Sequence, residues 1–167
     1  VFPISPANAA WIQYQNGPAD TYNRPDLPAE FDITRTDFAV NDSKPDEYWF
    51  FLMFAKPVTS NIFADGQGSW AAVLLDINND GKLDYSLATD STPYEGNYYK
   101  PGRFQDRTSG EVVASSRCTV QTWTNLDTKA NWIGFSIKKN CLSLASLIGV
   151  RGYTDRIPND NAQFDFA

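Results

Sequence analysis

Trp70-Ala71-Ala72-Val73-Leu74-Leu75-Asp76-Ile77-Asn78-Asn79-Asp80-Gly81-Lys82-Leu83-Asp84-Tyr85-Ser86-Leu87-Ala88 is the stretch that decides the fold class. Its ends are two short apolar segments bounded by turn residues, and such segments read as strands. Between them lies the pattern D-x-N-x-D-G-x-x-D. Ca²⁺ is a hard ion that takes six to eight oxygens at about 2.3–2.6 Å in flexible geometry. The side-chain oxygens of Asp76, Asn78 and Asp80 stand at alternate positions and converge if the backbone coils around one point. Gly81 permits the sharp turn that coiling requires. The Lys82 carbonyl would then face the ion, and Asp84 would close the shell directly or through water. Asp, Asn and Gly also build metal-free turns, because they tolerate left-handed backbone and bond their own main chain. Here four oxygen side chains share one register with the glycine in place. The expected cofactor is therefore a structural Ca²⁺ on Asp76, Asn78, Asp80, Lys82 and Asp84.

A helical EF-hand wants a bidentate Glu at its twelfth position, and that position holds Leu87. The metal is expected to clip a β-hairpin instead. The run resembles the calcium hairpins of integrin α-subunit propellers and the D-x-N-x-D-G runs of thrombospondin-type and dockerin repeats. A dockerin needs two such repeats with helices, and a propeller needs several blades of about 40–45 residues. This chain of 167 residues shows one copy of the run and no such period. Sites in extracellular modules bind at about 10⁻⁴–10⁻³ M, which implies a permanently filled clip and not a switch.

Length and composition set the frame. A chain of 167 residues at 42% hydrophobic can bury a core as one domain. Residues 1–30 carry Pro3, Pro6, Pro18, Pro25 and Pro28, which forbids a long helix and discourages a central strand. They also hold Phe2, Ile4, Trp11, Ile12 and Tyr14, too apolar for a solvated linker. The division expected is an extended arm over 1–30 and a calcium-binding β domain over 31–167. The net charge of −6 speaks against nucleic acid, which calls for a basic patch. No apolar run of the length a membrane-spanning helix needs occurs in the sequence, so membrane insertion is not expected. There is no histidine, which removes the commonest general base and the imidazole of Ser/His and Cys/His systems. Cys118 and Cys141 are the only cysteines. In a secreted protein such a pair reads as one disulfide, the alternative being two buried thiols. Secretion is inferred from the calcium loop and this pair.

Along the chain, Phe31 to Val40 reads as a strand with an irregularity near Asp37, and 41–46 as a turn. Glu47 to Ala55 is apolar on both parities, as in a strand covered on both faces. Residues 89–110 read as a long Tyr/Gly/Pro loop. Strands are expected over 111–123, 132–138 and 147–153, a helical turn within 142–148, and pairing of the tail 163–166. Seven or more short strands indicate an all-β antiparallel sandwich, of jelly-roll or immunoglobulin-like type, with long loops and a Pro-rich arm. The order DITRTDF (32–38), DEYWFFLMFAKPV (46–58), LLDINNDGKLDY (74–85), WIGFSIKKNCL (132–142) resembles secreted bacterial β-sandwich domains of the DOMON and family 9 carbohydrate-binding type. That resemblance covers roughly 30–155 and implies a calcium or ligand loop at one end of a sandwich. Haem-binding members use Met or His as axial ligands. This chain has no His and one Met, Met53, inside an apolar strand, so haem is not expected.

Tyr94, Tyr98, Tyr99 and Phe104 lie in the Pro/Gly stretch 91–104 and are the candidate ligand-binding aromatics, since exposed tyrosines can stack on sugars. The competing role is packing over a core edge. Trp11, Trp123 and Trp132 offer a similar platform, with core packing the better reading of Trp132. Asn41-Asp42-Ser43 matches a glycosylation sequon. No G-x-S-x-G elbow and no phosphate loop occurs, and no carboxylate pair is singled out by spacing, so no catalytic residue is assigned. The expected function is a non-catalytic extracellular module for cell-surface adhesion or assembly. Its expected partners are copies of itself, cell-surface proteins or polysaccharide. A carbohydrate-binding module is the runner-up and a small secreted hydrolase the third reading.

Overall fold

The computed structural model describes residues 9–12, 31–62, 70–78, 80, 82–90, 93–96, 99–111, 113, 118–142, 149–156 and 163–166. Among them are ten strands and one short 3₁₀ turn. The strands are β1 (Ala9–Ile12), β2 (Ile33–Asn41), β3 (Lys44–Phe54), β4 (Trp70–Asp76) and β5 (Tyr85–Thr89). They continue with β6 (Lys100–Asp106), β7 (Gln121–Trp123), β8 (Trp132–Lys138), β9 (Gly149–Arg156) and β10 (Gln163–Phe166). The turn η1 spans Lys139–Cys141. All pairings are antiparallel, in the order β1-β2-β3-β8-β7-β6-β5-β4-β9-β10.

The sheet curls into a half-barrel. β2 and β9 lie far apart in strand order. Yet a Cβ on Gly152 of β9 would stand 2.6 Å from Thr36 Oγ1 of β2 and 2.9 Å from Leu52 Cδ2 of β3. Only a sheet that folds toward itself brings those strands together. β6 makes the bend, pairing with β7 through Lys100 and Pro101 and with β5 through Gly102 to Asp106. At the crossing point a Cβ on Gly102 would meet the Ala88 carbonyl at 2.7 Å, so the close approach requires glycine.

The enclosed core takes Ile33 and Phe38 from β2, Phe50, Leu52 and Phe54 from β3, and Ala71, Val73 and Leu75 from β4. Leu87, Phe104, Ile133, Phe135 and Ile137 complete it. β3 is buried on both faces, as its double-parity pattern predicts. Its even residues fill the core, while Trp49 and Phe51 point outward into a second cluster with Ala39 and Trp123. Trp49 and Trp123 meet edge-on at 4.7 Å between ring centroids, and Phe51 meets Trp123 at 5.5 Å. Such aromatic pairs contribute about 0.5–1.5 kcal/mol each beyond burial. β8 meets this cluster at Gly134, where a Cβ would come within 2.5 Å of the Trp123 ring.

Several expectations shift. The irregularities of β2 fall between Ile33 and Arg35 and between Val40 and Asn41, not near Asp37. β3 starts at Lys44, so the turn is shorter than expected, and Pro45 sits where the β2–β3 register slips. That placement spares a residue without an N–H from ladder duty. Within the stretch read as a loop, Lys100–Asp106 is a strand. Within the stretch read as a strand over 111–123, only Gln121–Trp123 is one among the described residues. The 3₁₀ turn falls at 139–141, and residues 143–148 lie outside the described set. Cys118 and Cys141 form a disulfide. Closing that span contributes roughly 3 kcal/mol in the chain-entropy model.

The packing at Gly134 makes a direct prediction. Gly134→Ala overpacks the Trp123 ring and should cost about 1–3 kcal/mol in a urea melt. In a Trp123→Phe background the same change should cost less, because the clashing atoms are gone.

Candidate functional site

The loop from Asp76 to Asp84 joins β4 to β5 at the end of their ladder, where Leu75 pairs with Tyr85. Its neck is closed twice. The Asp84 N–H donates to the Leu75 carbonyl at 2.8 Å, and the Ile77 N–H donates to Asp84 Oδ2 at 2.8 Å. Inside the neck the backbone coils on its own side chains. Asp80 N–H donates to Asn78 Oδ1 at 2.9 Å, and Lys82 N–H donates to Asp80 Oδ1 at 2.8 Å. These are Asx bonds of the kind Asn and Asp make to residues two positions on. The loop also docks sideways, since the Arg107 N–H after β6 donates to the Asp84 carbonyl at 2.8 Å. Two apolar residues staple it to opposite faces of the sheet: Ile77 packs on the enclosed core, and Leu83 packs on Ala72, Leu74 and Ala88 outside.

The exposed part of the loop carries Asn78, Asp80 and Lys82, while Asp76 and Asp84 are half-buried at its base. Each carboxylate has two acceptor oxygens, so the bond from Lys82 engages one of the Asp80 pair and the bond from Ile77 one of the Asp84 pair. All donors the loop presents are oxygens, the set a hard cation takes. Among the described residues, no three or more His, Cys, Asp or Glu side chains gather at one point in a metal-holding arrangement. The loop's carboxylates are thus strung along its backbone and not gathered at one point. Asn79 and Gly81 lie outside the described residues.

The aromatic stretch is placed differently from a sugar platform. Tyr94 is 2% exposed and Phe104 3%, so neither offers a ring face to a ligand. Both belong to the enclosed core. The physical reason at Tyr94 is that its backbone is stitched down: Tyr94 N–H donates to the Ser60 carbonyl at 2.8 Å, and Ser60 Oγ donates to the Tyr94 carbonyl at 2.6 Å. The Tyr94 hydroxyl donates to Thr122 Oγ1 at 3.1 Å. Lys100 Nζ lies 4.0 Å from the Tyr94 ring centroid and 3.2 Å from Asp90 Oδ1. Burial holds the Lys100 ammonium below the usual lysine range, opposed by its bond to Asp90. Tyr99 is half-buried on Trp123, at 5.2 Å between centroids, with Lys44 over its ring at 5.4 Å. Tyr98 lies outside the described residues.

Trp123 is fully buried and Trp132 half-buried against it, so the tryptophan platform is also packing, and the side chain of Trp11 lies outside what is described. Asn41 is 4% exposed, and its Oδ1 accepts the Ser43 N–H at 2.9 Å, so the asparagine of the sequon is buried while Asp42 and Ser43 are exposed. Sequence reasoning did not find Arg107, Ser60, Thr122 or the Lys100–Asp90 pair. The alternation of Phe104 with Arg103 and Gln105 was a signal for β6, obscured by Pro101 and Gly102. In comparisons with protein-family models, curated proteins and solved structures, nothing matches this chain.

The phenols give a pH test. Burial pushes Tyr99 up to about 12, with Glu47 adding to it, and pushes Tyr94 up as well, against the ordinary value of 10.0. A raised folded pKa means stability that is whole below the unfolded value and lost as pH climbs toward the folded one. Stability should therefore fall between pH 10 and about 12. Absorbance at the phenolate band should show Tyr94 and Tyr99 still protonated near pH 11, after exposed tyrosines ionise. Tyr94→Phe should remove part of the alkaline loss.

Proposed function

We propose that this chain is a non-catalytic extracellular β-sandwich module, clipped at one end by Ca²⁺, that serves cell-surface adhesion or the assembly of an extracellular structure. The two halves of the curled sheet are read as the leaves of the sandwich, with Gly102 and β6 at their shared edge. The observation that carries the proposal is the 76–84 loop: an oxygen-only donor run, coiled by Asx bonds and closed at its neck by Asp84. Asp76, Asn78, Asp80, the Lys82 carbonyl and Asp84 would hold the ion. Bound there, the cation would offset two of the three aspartate charges and lock the hairpin end. The disulfide is consistent with an oxidising compartment. Among the described residues, no helix is long and apolar enough to cross a membrane. The carbohydrate reading loses two of its four rings to the core, Tyr94 and Phe104. That leaves copies of the chain or other cell-surface molecules as the partners this reading favours.

Calcium removal is the first test. A ligand that binds only the folded state stabilises it by RT ln(1 + [L]/Kd), roughly 2.7 kcal/mol at a hundredfold excess. EDTA should lower the melting temperature, added Ca²⁺ should restore it, and Asp80→Ala should melt identically with and without EDTA. A parent protein indifferent to EDTA would sink the metal reading. Light scattering on a sizing column, with and without Ca²⁺, tests assembly separately. Multimers are the expected result, and a monomer at every concentration removes the assembly reading.

A further inference from the structure

The strand at one end of the sheet supports an inference that rests on the assembly reading above. β1 pairs antiparallel with β2, from Ala9 with Asn41 to Ile12 with Phe38. Antiparallel neighbours that follow one another in the chain need a connection of only two to five residues. Here residues 13–32 intervene. A segment of about 20 residues reaches up to about 65 Å when extended, several times the roughly 13 Å length of a four-residue strand. The connection therefore does not dictate which β2 the strand meets. The same four residues can seat on β2 of their own chain or of a neighbouring copy, in the same register and with the same backbone hydrogen bonds.

Two further features favour a neighbour. The connection contains Pro18, Pro25 and Pro28, a composition that favours extended chain over a compact turn. The strand itself reads Ala9-Ala10-Trp11-Ile12, without charge or proline. Charges and prolines are the devices that guard a sheet edge against pairing with another chain. The opposite edge differs on both counts. β10 follows β9 after the short connection 157–162, and it carries Asp165.

We propose that β1 is an exchangeable strand whose partner is a second copy of this chain. It seats on the Phe38–Asn41 edge of its own β2 when copies are dilute, and on the same edge of a neighbour when copies are crowded. A tether of about this length sets an effective concentration of the order of millimolar for its end. Exchange between copies competes once their local concentration reaches that range, as it does on a packed surface. Reciprocal exchange closes a dimer, and head-to-tail exchange propagates a filament.

Ala10 and Val40 are register partners, which gives a direct test. Chains carrying Ala10→Cys alone and Val40→Cys alone are mixed with the native disulfide intact, left to exchange, oxidised and digested for mass spectrometry. A disulfide between positions 10 and 40 in that mixture joins two chains. It should appear at about 1 mM and fall at least tenfold at about 5 µM. A double variant carrying both cysteines reports whether β1 seats on β2 at all. If the double variant closes within one chain while the mixture shows no 10–40 link at about 1 mM, exchange is overturned. If the double variant closes in neither arrangement, the pairing and the proposal fall together. If the parent chain forms multimers while 10–40 links stay within chains, assembly stands and strand exchange alone is lost.

Discussion

One sheet has to enclose its own core, and the close passage of β6 past β5 and β7 at Gly102 makes that possible. A flat ten-strand sheet would leave Phe50, Leu52, Phe54, Ile133 and Phe135 facing water. The bend turns those residues toward Ala71, Val73, Leu75 and Leu87 on the other half. Any side chain at Gly102 would collide with the Ala88 carbonyl and with Thr122 and Val120. The same economy recurs at Gly152, where β9 lies against Thr36, Ile33 and Leu52. Curvature in this protein is thus obtained where a missing Cβ lets backbone or side chain approach.

The curl also accounts for what lies outside. A sheet with one enclosed face leaves the other to be covered, and here apolar groups gather on the outer face of each half. Trp49, Phe51 and Trp123 form one such cluster, and Ala72, Leu74 and Ala88 the other. The loop between β4 and β5 belongs to the second through Leu83 and to the core through Ile77. Its acidic residues are therefore carried on a hairpin end gripped from both sides and tied to the turn after β6 through Arg107. On the calcium reading proposed above, a ligand set carried on such a base would need less ordering when an ion arrives, as a structural clip requires.

Charge follows the same division. Asp37 is 3% exposed on β2, and Arg35 from the same strand holds its Oδ2 at 2.8 Å. Lys138 bridges Asp46 at 2.6 Å and Glu47 at 3.2 Å near the start of β3. Those bonds hold the Asp46 carboxyl below the usual carboxylate range and the Lys138 ammonium above its own. Asp46 and Lys138 are exposed, so their pairing orders the strand end more than it stabilises the fold.

Local pattern determined a good deal by itself. The double-parity run Trp49 to Phe54 is a strand buried on both faces, because alternation sends successive side chains to opposite sides of a sheet. The apolar segments around Asp76–Asp84 are paired strands, and the two cysteines are joined. Glycine and the oxygen side chains marked a coiled loop, since those properties travel with the residues. Tertiary structure alone decided the remainder. Lys100–Asp106 is a strand because β5 and β7 offer it ladders on both sides, although its Pro and Gly read as loop. Tyr94 and Phe104 lie in the core, not on a binding surface, because Ser60, Thr122 and Lys100, distant or unremarkable in sequence, converge on Tyr94. A residue's backbone preferences are its own, but its burial belongs to whichever surfaces the curl of the sheet brings against it.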